Sequence, residues 1–142
     1  MSDLLYSKEV LRLAAAAKGA GRLPEPRLSG SAHNPACGDR VTVDLRLEDG
    51  HVAALAHETK ACVLAQASAS ILADALPGLD VQAVATLRAA VSGMLAGDGH
   101  CDAFEVLADA ARFPSRHRCV LLPFDAALKA FEAGEPRSQG AE

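Results

Sequence analysis

The chain has 142 residues, half of them hydrophobic. That is one domain by length, large enough to bury a core without disulfide staples. Its net charge of −4 argues against nucleic acid as the main partner, which would call for a basic face, and no apolar run is long enough to span a membrane. The opening Met1-Ser2-Asp3 carries acid where a secretory signal carries positive charge. A cytoplasmic location with reduced thiols is therefore expected. The four cysteines then read as ligands, nucleophiles or core residues rather than a disulfide framework.

Ser7 to Lys18 has the apolar spacing of a helix, with Val10, Leu11, Leu13 and Ala14 as its stripe and Gly19 to Gly21 as its stop. Gly21 to Pro26 reads as a linker. Arg27 to His33 is a candidate first strand, weakened by Gly30. Val41, Val43, Leu45 and Leu47 then alternate with Thr42, Asp44, Arg46 and Glu48, the two-residue period of a strand with one buried face. Asp49-Gly50 is a tight hairpin turn, and His51 to Thr59 is the returning strand. From Cys62 the period becomes helical through Val63, Leu64, Ala67, Ile71, Leu72 and Ala75, stopping at Pro77-Gly78. Asp80 caps a second helix running to about Ala96, with Val81, Val84, Leu87, Val91 and Leu95 on one face. Ala103 to Ala110 reads as a short helix broken by Phe113-Pro114. A last helix is expected from about Cys119 to Ala133, because Pro123 is tolerated in a first turn but not mid-helix. The tail after Gly134 is expected to fray.

The chemistry collects around Cys37-Gly38-Asp39. In an extended segment residues two apart point to one side, so a thiolate and a carboxylate there can reach one ion. Cys62 and Cys119 are each placed at a helix start, where the helix dipole favours the thiolate. Three thiolates and a carboxylate satisfy tetrahedral Zn²⁺. The same thiolates can hold iron–sulfur chemistry, with the carboxylate as a weaker ligand. Against this stands the ordinary burial of free cysteine, and spacings of 25 and 57 residues between the three cysteines match no zinc-finger pattern. Residue chemistry alone leaves the two readings level. Cys101 reads as a half-buried thiol, His33, His51 and His57 as strand-surface residues, His117 as an exposed loop residue, and Ser68 and Ser70 as helix-packing residues with no paired base.

Three stretches shift that balance. Asn34-Pro35-Ala36-Cys37-Gly38-Asp39-Arg40 resembles the first cysteine motif of the U-type iron–sulfur cluster assembly proteins, the IscU/SufU/NifU N-terminal family. Cys62-Val63-Leu64-Ala65-Gln66-Ala67-Ser68-Ala69-Ser70 is similar to its second motif, and Phe113-Pro114-Ser115-Arg116-His117-Arg118-Cys119 to its third. The third resembles the SufU type most, because Arg118 stands where IscU-type scaffolds have histidine and their Leu-Pro-Pro-Val-Lys stretch is absent. The chain departs from the family in Ala61, where glycine usually precedes the second cysteine, and in lacking an Asn-Pro-Arg-Asn stretch after the first helix.

The resemblance implies an α+β fold of the SufE/NifU-like kind: a small antiparallel sheet of two or three strands packed against four to five helices, in a single domain over residues 1–142. It implies Cys37, Asp39, Cys62 and Cys119 as metal ligands and Arg116 as a supporting residue. It also implies Zn²⁺ as the cofactor, with a [2Fe–2S] cluster or iron as the alternative. Cys37 is the expected sulfur acceptor, so the chain is at most a zinc-dependent sulfurtransferase. The implied partners are a cysteine desulfurase and downstream iron–sulfur assembly or carrier proteins. A zinc-stabilised interaction domain without sulfur chemistry is the reading from a different class.

Overall fold

The computed structural model describes residues 7–35 and 38–134. Helix α1 (Lys8–Ala16) precedes three strands, β1 (Leu28–Asn34), β2 (Asp39–Glu48) and β3 (His51–Lys60). Helices α2 (Val63–Ala75) and α3 (Val81–Leu95) follow. Two 3₁₀ segments, Asp102–Arg112 and Pro114–Arg116, then lead into helix α4 (His117–Ala133). The strands form one antiparallel sheet in the order β1-β2-β3. This is the expected α+β architecture. The expected fraying after Gly134 concerns positions outside the described residues.

Local chemistry sets most boundaries. The Ser7 hydroxyl accepts from the Val10 amide at 3.2 Å and starts α1. Asp49 and Gly50 both take positive φ, 52° and 79°, which lets β2 turn directly into β3. The Asp80 carboxylate accepts from the Ala83 amide at 2.8 Å and starts α3. On β2 the alternation holds for Val41, Val43 and Leu45, which face the core. They share one core with Leu64 and Leu72 of α2, and Phe104 packs on Phe124 with ring centroids 5.3 Å apart. Each such large side chain contributes about 1.5–3 kcal/mol by leaving water.

The other sheet face is not uniformly solvated. Asp44, read as a polar-face residue, is fully buried. Arg22 donates to both its oxygens at 2.7 and 3.1 Å, Ser29 Oγ donates at 2.6 Å and the Leu23 amide at 3.1 Å. Burial alone would raise the Asp44 pKa, but the bonds from Arg22, Ser29 and Leu23 outweigh it and the carboxyl titrates below its ordinary value. The linker after α1 is thereby pinned onto the sheet. It also covers the β3 edge: the His57 amide donates to the Gly19 carbonyl and the Gly21 amide to the His57 carbonyl, both at 2.8 Å. His57, expected on the strand surface, is buried. Its Nε2 donates to the Lys18 carbonyl and its Nδ1 meets Thr59 Oγ1, each at 2.8 Å, and burial pushes its pKa down.

Two helical expectations change. The short helix after α3 is a 3₁₀ run, Asp102–Arg112. Its buried residues are Phe104, Leu107 and Ala110, spaced by three, which matches three residues per turn. Helix α4 begins at His117, two residues before Cys119, so Pro123 sits inside it. The proline leaves the Cys119 carbonyl without its usual amide donor. Burial of Leu122, Pro123 and Phe124 in the core offsets that cost.

Gly30, which weakened β1 on propensity, is what places α4. A Cβ there would run into the Ala126 carbonyl and the Ala130 amide. The helix backbone therefore rests directly on β1. Gly30→Ala is expected to destabilise the fold by about 2–3 kcal/mol, measured by urea unfolding. Ser31→Ala, on the exposed neighbour, should stay within about 0.5 kcal/mol.

Candidate metal site

Asp39, Cys62 and Cys119 come together at one end of the sheet. Asp39 is the first residue of β2, directly after a turn closed by the Gly38 amide donating to the Asn34 carbonyl at 2.8 Å. Gly38 has φ +77°, a conformation that favours glycine. Cys62 is the N-cap of α2, with extended φ and ψ of −66° and 169°. Ala61, where the resembling family usually has glycine, does not need positive φ. Its carbonyl accepts from the Gln66 side chain at 2.9 Å, which ties the approach to α2. Cys119 lies in the first turn of α4. The Ser68 hydroxyl of α2 donates to the Val120 carbonyl of α4 at 2.7 Å, so the two cysteine-bearing helices are joined one residue from Cys119.

Asp39 Oδ2 accepts from the Cys62 amide at 3.4 Å and from Cys119 Sγ at 3.7 Å. One ligand atom from each of Asp39, Cys62 and Cys119 lies within 4.8 Å of the others. Cys119 is 2% exposed, while Asp39 and Cys62 are half-buried. The Cys119 thiol has two acceptors, Cys62 Sγ and Asp39 Oδ2. Its hydrogen bond to Cys62 is the main reason the Cys62 pKa falls to about 6, helped by the Ala65 and Leu64 amides and opposed by burial and the Asp39 charge. The same bond, burial and the charges of Cys62 and Asp39 push Cys119 up, against a hydrogen bond from Arg116 that pulls it down. The pair thus holds one proton, on Cys119, with Cys62 as the thiolate.

Cys37, the fourth expected ligand, lies outside the described residues. Arg116 lies beside the Cys119 sulfur, where it favours the thiolate, and Asp125 pairs with Arg88 at 2.8 Å. His117 opens α4 rather than sitting in a loop, and its Nε2 faces the Ala111 carbonyl at 3.3 Å. Cys101 is buried in the core and stands apart from the cluster. Ser68 and Ser70 are packing residues as read, Ser70 Oγ donating to the Leu13 carbonyl at 2.7 Å. The role of Ser68 in joining α2 to α4, and that of Gln66, went unread. For Gln66 the signal was present, four residues after Cys62.

Donor chemistry fits a metal ion. Two sulfurs and a carboxylate oxygen are the ligand types Zn²⁺ takes. At zinc–sulfur distances of about 2.3 Å, tetrahedral ligand atoms stand roughly 3.7 Å apart, the separation already present between Cys119 Sγ and Asp39 Oδ2.

Residues 5–113 match the NifU-like N-terminal domain. The match covers Cys37, Asp39 and Cys62 and ends before Cys119. An iron–sulfur cluster assembly scaffold protein IscU of Thermotoga maritima is 29% identical over 123 residues, 84% of this chain and 87% of the relative. A zinc-dependent sulfurtransferase SufU of Bacillus subtilis is 29% identical over 113 residues, 76% of this chain and 74% of the relative. A crystal structure of a NifU-like N-terminal protein from Brucella abortus superposes with a TM-score of 0.85 at 32% identity, over 94% of this chain and 98% of that one.

In protein stripped of metal with a chelator, alkylation of Cys62 by iodoacetamide is expected to rise with a midpoint near pH 6. Thiolate is the reactive form, so the rate is low below that pH and level above it. Cys119 should stay protected through neutrality. Peptide mass spectrometry across a pH series reads both sites. A Cys62 midpoint at the usual thiol value of about 8.5 would refute the shared-proton arrangement.

Proposed function

The chain belongs to the NifU-like N-terminal domain family, and from that membership we propose that it works in iron–sulfur cluster assembly as a zinc-holding sulfur acceptor. The observation that carries this is the convergence of Asp39, Cys62 and Cys119 within 4.8 Å. On this reading Cys37, two residues before Asp39, completes the ligand set. Bound Zn²⁺ would keep the thiols ionised and would leave the carboxylate, the one hard ligand among sulfurs, as the most exchangeable.

Cys37 is the acceptor on this reading. Cys119 is buried and Cys62 half-buried, whereas the described neighbours of Cys37, Pro35 and Gly38, are exposed. The donor is a persulfide on a cysteine desulfurase. The Cys37 thiolate attacks the outer sulfur of that persulfide. A new sulfur–sulfur bond forms on Cys37, the donor's sulfur–sulfur bond breaks, and the desulfurase cysteine leaves as thiolate. No net oxidation occurs. The sulfur then passes to downstream assembly or carrier proteins. Arg116, already bonded to the Cys119 sulfur, supplies positive charge beside the sulfur anions. Similarity to the B. subtilis zinc-dependent sulfurtransferase supports this reading, as does Arg118 directly before Cys119. The similarly related T. maritima scaffold favours a second one, in which a [2Fe–2S] cluster is assembled as cargo on the same residues.

Protein purified without oxygen is expected to carry about one zinc ion per chain and no visible chromophore. With a cysteine desulfurase and ³⁵S-cysteine, label should appear on Cys37 and be lost in Cys37→Ser. Asp39→Ala should weaken zinc retention by about 10-fold or more, and Cys119→Ser by more than that, read by competition with a chromogenic chelator. A brown protein with matching iron and labile sulfide would instead support the cluster scaffold. Zinc without any sulfur transfer would leave a zinc-stabilised interaction domain.

A further inference from the structure

The turn that carries Cys119 is weakly fastened by its own helix. Helices α1 and α3 open on side-chain caps, Ser7 and Asp80, but α4 opens after Arg116, whose side chain makes no cap bond. Pro123 stands inside the same helix. Proline has no N–H, so the bond that would run from residue 123 back to the Cys119 carbonyl is missing. A first turn lacking both a cap and that bond is the part of a helix most open to fraying. Yet this turn holds a buried sulfur in place against Cys62 and Asp39.

A fastening comes from the side. Ser68 of α2 is fully buried and donates to the Val120 carbonyl at 2.7 Å. Val120 follows Cys119, and Ser68 lies six residues after Cys62. That length of α-helix rises about 9 Å and keeps its spacing, so one bond sets where the Cys119 turn stands relative to the start of α2. The neighbouring buried positions of α2 are alanines, Ala65, Ala67 and Ala69. An alanine at 68 would bury no polar group, so the hydroxyl needs a reason to be there. Ser70 supplies the contrast. It is equally buried on the same helix and donates at the same 2.7 Å, but to Leu13 of α1, a helix with no candidate ligand. One serine ties α2 to the turn with Cys119, and the other ties it to a helix remote from the chemistry.

We propose that Ser68 is a positioning residue for the metal site: acting through the Val120 carbonyl, its hydroxyl supplies the tether that Pro123 removes from the turn carrying Cys119. The inference rests on the zinc-holding reading and adds a residue that touches no ligand atom. A ligand constellation has to be held to about 0.5 Å by the groups around it, and here one bond from α2 does so for the sulfur on α4. Ser68 and Pro123 therefore act as a pair, and the effect of changing one depends on the other.

The test follows zinc release from the loaded full chain to a chromogenic chelator, the visible spectrum of the Co²⁺-loaded chain, whose bands follow ligand geometry, and the urea midpoint of the metal-free chain. Ser68→Ala is expected to speed zinc release about 10-fold and to shift and weaken the Co²⁺ bands. Ser70→Ala loses a comparable hydrogen bond, so it should lower the urea midpoint by a similar amount, within about twofold. Its zinc release and Co²⁺ bands should match wild type. Pro123→Ala returns the amide to the Cys119 turn and should slow release about threefold, and in that background Ser68→Ala should cost less than about threefold. Equal release from Ser68→Ala and Ser70→Ala overturns the positioning role and leaves the metal site standing. The same loss from Ser68→Ala with either residue at 123 also overturns it. If Ser68→Ala does not fold, Pro123→Ala alone decides, and release as fast as wild type or faster overturns the role. A wild type that holds neither zinc nor Co²⁺ removes the metal site and the positioning role together.

Discussion

With no side chain at Gly30, the backbone of α4 lies directly on β1, and the candidate site depends on that contact. The helix meets the strand at Ala126 and Ala130. Cys119 is about two turns earlier along the same rigid rod, which sets where its sulfur falls. Asp39 is placed independently, by the turn that links β1 to β2. Anything that lifted α4 off the sheet would carry Cys119 away from Asp39. The Ser68 bond to the Val120 carbonyl fixes the remaining freedom by tying the helix that begins at Cys62 to the helix that holds Cys119. Three candidate ligands on three separate elements are thus positioned by backbone packing and one buried hydroxyl.

The electrostatics follow from that geometry. Two sulfurs and a carboxylate held close together cannot all be ionised without a compensating cation. In the protein alone the mutual hydrogen bond favours the thiolate at Cys62 and the proton on Cys119, and Arg116 offers partial relief. A divalent ion would replace the proton and satisfy all of the donors at once. The arrangement therefore suits a cation. Its one hard candidate ligand, Asp39, is half-buried, and Arg40, Lys60 and Arg118 around it are exposed.

What the sequence made legible was local. The alternation from Val41 to Leu47, the Asp49-Gly50 turn and the Asp80 cap each depend on a few neighbouring residues, and each is present in the fold. The cysteine motifs pointed to Asp39, Cys62 and Cys119, which the fold brings together, because their resemblance to a family supplied the distant partners that spacing could not. The misread residues all answer to distant parts of the chain. Gly30 is explained by a helix about 100 residues on, Asp44 by Arg22 in the linker, and His57 by the Lys18 carbonyl. The 3₁₀ run was legible in principle, since Phe104, Leu107 and Ala110 repeat every three residues, but a short apolar repeat of that kind also fits one face of an α-helix. Pro123 suggested a later helix start because its cost was weighed without the core burial that offsets it.

X-ray absorption at the zinc edge of the loaded protein reports whether Cys37, Asp39, Cys62 and Cys119 form one four-ligand centre. Three sulfur scatterers at about 2.3 Å and one oxygen at about 2.0–2.2 Å are expected, with one sulfur lost in Cys37→Ser and the oxygen lost in Asp39→Ala. Four sulfurs, which would bring in Cys101, or a first shell dominated by nitrogen would contradict it.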